Sequence, residues 1–241
     1  MNKLLSLALT WCLIYAQYIP VPFTHSSGGG GGVIASSVYS QAGNVTVPMQ
    51  IVYTPSGSGH GLYIFAALGT GTVTSITDSA GSPSVITSST AWNVPNGGGV
   101  YESWMESGAS SGAHIITVNV GTSPTYGVLY VIELTSSSAA GATSVTSIGS
   151  SSTNPIPCGS LTTSSGSIVL AFAFVYDGGA VLSVGSGPPS FTFPTPTGVG
   201  LPYAGMEFSA TTTATTYTIA SGFVPTLTGD PYFCYAVEAL P

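Results

Sequence analysis

Ile168-Val-Leu-Ala-Phe-Ala-Phe-Val-Tyr176 is apolar at every position and too short for an ordinary buried helix. Read with the period of two of a strand, it puts Ile168, Leu170, Phe172, Phe174 and Tyr176 on one face. Val169, Ala171, Ala173 and Val175 fall on the other, which makes this the strongest core strand of the chain. Val45, Val47, Met49, Ile51 and Tyr53 also alternate, with Thr46, Pro48 and Gln50 between them. Pro48 cannot donate to a ladder, so this segment is read as an edge strand or a bulged one. Leu62–Leu68, Thr72–Thr77, Ser84–Thr90, Val100–Met105, His114–Val120 and Gly127–Leu134 continue the pattern, separated by turn residues. Ser190–Phe193, Tyr203–Ser209, Thr215–Ala220 and Pro231–Leu240 complete it.

About a dozen short strands with frequent turn signals, and no sustained helical period, predict an all-β, jelly-roll-like antiparallel β-sandwich. The texture is uniform over residues 33–241, which reads as one domain. No repeat of 20–50 residues is visible, which counts against propellers and solenoids.

Charge narrows the function. The 241 residues hold one Lys+Arg against eight Asp+Glu, and 4% are charged, far below the ~25% of an ordinary domain. The one basic residue is Lys3. Binding nucleic-acid phosphates needs Lys or Arg, so nucleic acid is excluded as a partner. A P-loop, a lysine Schiff base and an arginine clamp are excluded for the same reason. Residues 1–16 read as a signal peptide, with Lys3 ahead of an apolar run and cleavage expected between Ala16 and Gln17. The alternative is an uncleaved anchor, but the run is short of the ~20 residues of a comfortable span. Residues 17–32 form an arm: apolar Tyr18–Phe23 followed by the flexible tether Gly28–Gly32. Such an arm is able to add as a strand to another copy's sheet. Cys12 leaves with the signal, and Cys158 and Cys234 remain as an expected disulfide in an oxidising compartment. Secretion is therefore the expected location, with no stable membrane span.

Several residues invite a chemical reading. Glu133 and Glu238 each lie in an apolar strand, where burial would raise the pKa and suit general-acid work if the two faced each other. Their structural role would instead be local hydrogen bonding. Trp92, Tyr101 and Trp104 flank the turn Asn96-Gly-Gly-Gly99 and offer rings that stack on sugars, or else they are core aromatics. Gly108-Ala-Ser110-Ser-Gly112 matches a G-x-S-x-G elbow with His114 nearby, but it joins two strands where an elbow needs a strand and a helix. His25, His60 and His114 are too scattered to mark a metal site. Asp78, Asp177 and Asp230 sit at turns and read as turn-formers. No cofactor is called for.

Val73-Thr-Ser-Ile-Thr-Asp78-Ser-Ala-Gly81, with the later Tyr130-Val-Ile-Glu133-Leu134, resembles uncharacterised β-sandwich modules of secreted bacterial and phage-associated proteins. The resemblance covers about residues 45–180 and implies a β-sandwich at a particle or cell surface, with no catalytic residues carried over. Two functions of different class follow. One is a secreted non-catalytic structural or adhesive module that binds extracellular glycans or itself. The other is an acid-tolerant extracellular hydrolase, a glycosidase or peptidase with a carboxylate pair, since few charges limit repulsion at low pH.

Overall fold

A computed structural model describes residues 32–42, 45–92, 99–135, 139–151, 156–175, 181–182, 191–197, 203–209, 212–221, 223–224 and 230–241. The signal, the arm Tyr18–Phe23 and Gly28 to Gly31 of the tether lie outside them. Among the described residues the chain is all-β: every regular element is a strand. The first half supplies β1 (Val33–Ala42), β2 (Met49–Tyr53), β3 (His60–Leu68), β4 (Val73–Asp78), β5 (Ser84–Trp92), β6 (Gly99–Ala109), β7 (His114–Val120) and β8 (Tyr126–Leu134). The second supplies β9 (Ala139–Ser151), β10 (Ile156–Thr162), β11 (Ile168–Val175), β12 (Val181–Leu182), β13 (Phe191–Thr197) and β14 (Tyr203–Ser209). It ends with β15 (Thr216–Ser221), β16 (Phe223–Val224) and β17 (Asp230–Leu240).

The two halves repeat one plan. In the first, β1-β8-β3-β6-β5 form one antiparallel sheet and β2-β7-β4 a smaller one. In the second, β9-β17-β11-β14-β13 form the large sheet, while β10 pairs with β15 and β12 with β16. With β15 and β16 together in the place of β7, each strand of the second half occupies the position of its counterpart in the first. The repeat is half the chain, far longer than the period of a propeller or solenoid.

Three cores stack between the layers. The middle one joins the two five-stranded sheets face to face and draws Tyr63, Phe65 and Tyr130 from one half and Phe172, Phe174 and Tyr235 from the other. A second core lies between the first large sheet and its small partner. A third lies under β10 and β15, where Val169, Ala171 and Ala173 meet Cys158 and Cys234. The two faces of β11 therefore divide as the alternation requires: Ile168, Leu170, Phe172 and Phe174 point into the middle core. Cys158 and Cys234 form a disulfide that ties outer β10 to inner β17. Closing a loop of 76 positions is worth ~4 kcal/mol in chain-entropy models. Met49, Ile51 and Tyr53 are buried in β2, which is an edge strand as Pro48 indicated.

Equivalent residues meet at the centre. Phe65 lies opposite Tyr130 in the first large sheet, and Phe172 opposite Tyr235 in the second. The two phenylalanine rings stack on each other with centroids 4.2 Å apart and planes 11° from parallel. Phe65→Ala or Phe172→Ala should cost about 3–5 kcal/mol, read from the urea midpoint. Val85→Ala, at a position 58% exposed, should stay within about 0.5 kcal/mol of the parent.

Candidate functional site

The D-S-A-G turn after β4 builds one wall of a site. Asp78 Oδ1 accepts the Ala80 N–H at 3.0 Å, closing the turn as expected of an Asp there. Ser79 Oγ accepts the Ile115 N–H at 2.9 Å and fixes the turn to β7. A Cβ on Gly81 would lie 1.9 Å from Glu106 Oε1, so this position stays bare to admit that carboxyl group. The turn thereby aims Asp78 at two residues distant in sequence: Glu106 on β6 and His114, the first residue of β7.

The Asp78 and His114 side chains are fully buried, and His114 Nδ1 lies 2.5 Å from Asp78 Oδ2. Glu106, 6% exposed, has Oε1 4.0 Å from the same nitrogen. It also faces the Asp78 carboxyl group and the Ser82 backbone. Burial pushes the Glu106 pKa up to about 7, helped by the neighbouring Asp78 carboxyl and its charge, and opposed by His114 and Ser82. Burial alone would lower the His114 pKa, but its bonds to Asp78 and to the Ser110 carbonyl, with the Asp78 and Glu106 charges, raise it. One ligand atom from each of Asp78, Glu106 and His114 lies within 4.8 Å of the others, a donor set able to hold a metal ion.

Ser110, His114 and Asp78 follow the order of a nucleophile, a base and its orienting acid. His114 Nε2 is 3.2 Å from Ser110 Oγ but 3.0 Å from the Ser110 carbonyl oxygen. A carbonyl only accepts, so Nε2 carries a hydrogen and is not free to take the serine proton. The G-x-S-x-G stretch spans the end of β6 and the β6–β7 hairpin, so it lacks the helix that an elbow needs. Beside the cluster opens a cleft of about 710 Å³, lined by Gly81, Glu106 and Ser110 of the first half and by Ala140, Gly141 and Thr143 of β9.

Glu133 and Glu238 do not share a site. Their neighbours Ile132, Leu134, Val237 and Ala239 all point into the middle core, so the two carboxyl groups point away from it on opposite sides. Glu133 accepts from Tyr53 Oη (2.6 Å) and from Ser56 N and Oγ (2.8 Å each), and lies 2.6 Å from His60 Nδ1. Burial favours a raised pKa there, but these four bonds outweigh it and lower the pKa, the reverse of the expectation for a general acid. Glu238 Oε1 accepts the Ser164 N–H at 2.5 Å. Each glutamate thus holds the loop between the second and third strands of its own half. The equivalent segments read Tyr130-Val-Ile-Glu133-Leu134 and Tyr235-Ala-Val-Glu238-Ala-Leu240.

The expected aromatic platform is also revised. Tyr101 (2% exposed) packs in the middle core, and Trp104 (1%) in the core of the first half. The alternation of β6 turns both inward because both faces of its sheet are covered. The backbone of Trp92 ends β5, and its side chain lies outside the described residues, as do His25 and Asp177. Sequence reading weighed the histidines against one another and so missed the cluster of His114 with Asp78 and Glu106. Its traces were the D-S-A-G turn and the placement of His114 just after Ser110. The chain matches no protein-family model, no curated protein and no solved structure.

Linked protonation makes stability pH-dependent. Glu106 moves from an ordinary 4.5 to about 7 on folding. Its contribution is complete below about 4.5 and lost as pH rises through about 7. The raised His114 acts in the same direction, with its contribution lost above its folded value. Glu133 is lowered, so its contribution is present above 4.5 and lost as pH falls through its folded value. In chelator-containing buffer the melting temperature should fall from pH 5 to pH 8. Glu106→Gln should flatten much of that slope, and an unchanged slope would contradict the assignment.

Proposed function

We propose that the chain is a secreted, non-catalytic building block: two jelly-roll units fused back to back that act through their outer faces and edges. The observation that carries this reading is the engagement of the two glutamates first in line for catalysis. They occupy equivalent positions in the two halves, each holding a loop by accepting a backbone N–H. The disulfide suits an oxidising compartment, and among the described residues no helix is long and apolar enough to cross a membrane. The outer face of β2 and β7 is uncharged: Gln50 bonds Thr117, with Val52 and Ile115 exposed alongside. Such a face suits a neutral partner, a glycan or another copy, in keeping with the surface modules the sequence resembles. Strands β1, β5, β9 and β13 end the large sheets, where an apolar arm has an edge to extend.

A second reading has one observation in its favour. Asp78 and Glu106 lie together beside the cleft, and burial raises the Glu106 pKa to about 7, which is what an acid hydrolase asks of a carboxylate pair.

The test uses mature protein from culture supernatant. Light scattering should give particles larger than one chain, and deletion of residues 17–32 should reduce them to single chains. Polysaccharides and unfolded proteins should remain intact between pH 3 and 7. Particles unaffected by the deletion would remove the arm from the assembly. Hydrolysis abolished by Glu106→Gln would replace the structural reading with the second one.

A further inference from the structure

We propose that Asp78, Glu106 and His114 bind one divalent transition-metal ion of the zinc class at the edge of the cleft between the two halves. Three observations converge on this. First, the donors come from the end of β4, from β6 and from the start of β7, and lie within 4.8 Å of one another inside a rigid sheet-and-turn framework. Second, the imidazole is oriented for metal binding: Nε2–H donates to the Ser110 carbonyl at 3.0 Å, so Nδ1 is the nitrogen directed at the carboxylates and becomes the ligand once its proton leaves. Asp78 is oriented in the same way, since Oδ1 is held by the Ala80 N–H while Oδ2 faces inward. Third, Glu106 Oε2 is buried and has no hydrogen-bond partner, in a residue only 6% exposed. A buried carboxylate oxygen left without a donor is costly, and a cation relieves it.

The composition leaves few alternatives. The only Lys or Arg in the chain is Lys3, outside the described residues, so no protein cation supplies positive charge beyond the histidines. Three converging acceptors must therefore be neutralised by protons or by a metal. The ion would displace the proton held in the 2.5 Å His114–Asp78 pair. The two atoms would then move apart to the spacing of neighbouring ligands, each bonded at about 2.0–2.2 Å.

One imidazole nitrogen and two carboxylates select zinc-like ions over calcium, which asks for about 6–8 oxygens. Three protein ligands leave a fourth position for water from the cleft, whose walls come from both halves. The ion would thus bridge no second chain but sit where the two units meet. This site is independent of the assembly reading above, which stands whether or not metal binds.

The test is calorimetric titration of Zn²⁺ into chelator-stripped, full mature protein near pH 7.5. Near-UV circular dichroism would verify that each variant is folded. One ion per chain is expected, with a rise in melting temperature. Glu106→Gln, close in shape to the parent, and His114→Asn should each weaken binding tenfold or more. His60→Asn, which alters the other described histidine, should leave the affinity unchanged. Co²⁺ in place of Zn²⁺ should show the visible bands of a four-coordinate nitrogen–oxygen site in the parent and lose them in Glu106→Gln. Absence of stoichiometric binding in the parent, or equal affinity in the parent and a folded Glu106→Gln, would overturn the proposal and leave a proton-only cluster. Loss of binding in His60→Asn alone would also overturn it, by moving the site to Glu133.

Discussion

The stacked pair Phe65 and Phe172 sets the terms for the rest of the molecule. It lies where two five-stranded sheets of the same strand order meet, and Tyr63, Phe174 and Tyr235 surround it. Each large sheet is covered on its other face by a smaller layer of its own half. Strands in the middle of the large sheets are therefore buried on both sides, and β3 and β8 are apolar nearly throughout. Burial of this extent lets a chain with 4% charged residues fold around cores rather than surface ion pairs.

The same burial dictates how the acids behave. A carboxylate on a doubly covered strand must find donors, and this chain has almost no cationic side chains to offer. Glu133 takes a tyrosine, a serine and a histidine; Glu238 takes a backbone N–H. Ser56 and Ser164 lie on loops, so each buried charge also fixes a loop to its sheet. Asp78, Glu106 and His114 differ because acceptors outnumber donors among them. Burial and the neighbouring Asp78 raise the Glu106 pKa, and the surplus of acceptors is what a bound cation would relieve. The loop-fixing glutamates and the cluster are thus two solutions to one shortage.

Much of the fold was legible because strand alternation is local. Ile168–Val175 divides its faces as its sequence indicates, Pro48 marks an edge strand, and Cys158 and Cys234 form the expected disulfide. The duplication was hidden because likeness between the halves is concentrated around Glu133 and Glu238, while their turns differ in length and composition. That likeness also bears on the alternative reading of a carboxylate pair. Two acids in similar strands looked like a facing pair, whereas equivalent positions in sheets packed face to face point to opposite outer layers. Tyr101 and Trp104 looked exposed beside a glycine turn because nothing local reveals that both faces of β6 are covered. The cluster at His114 was illegible for a different reason: it needs three strands whose neighbourhood is set by sheet order, not by spacing along the chain.

Two copies of one unit that share a central core should behave as a single cooperative body. Differential scanning calorimetry of the disulfide-intact mature protein at pH 5 measures this directly. One transition is expected, with equal calorimetric and van't Hoff enthalpies. Two resolved transitions, one for each half, would contradict the shared core on which the account rests.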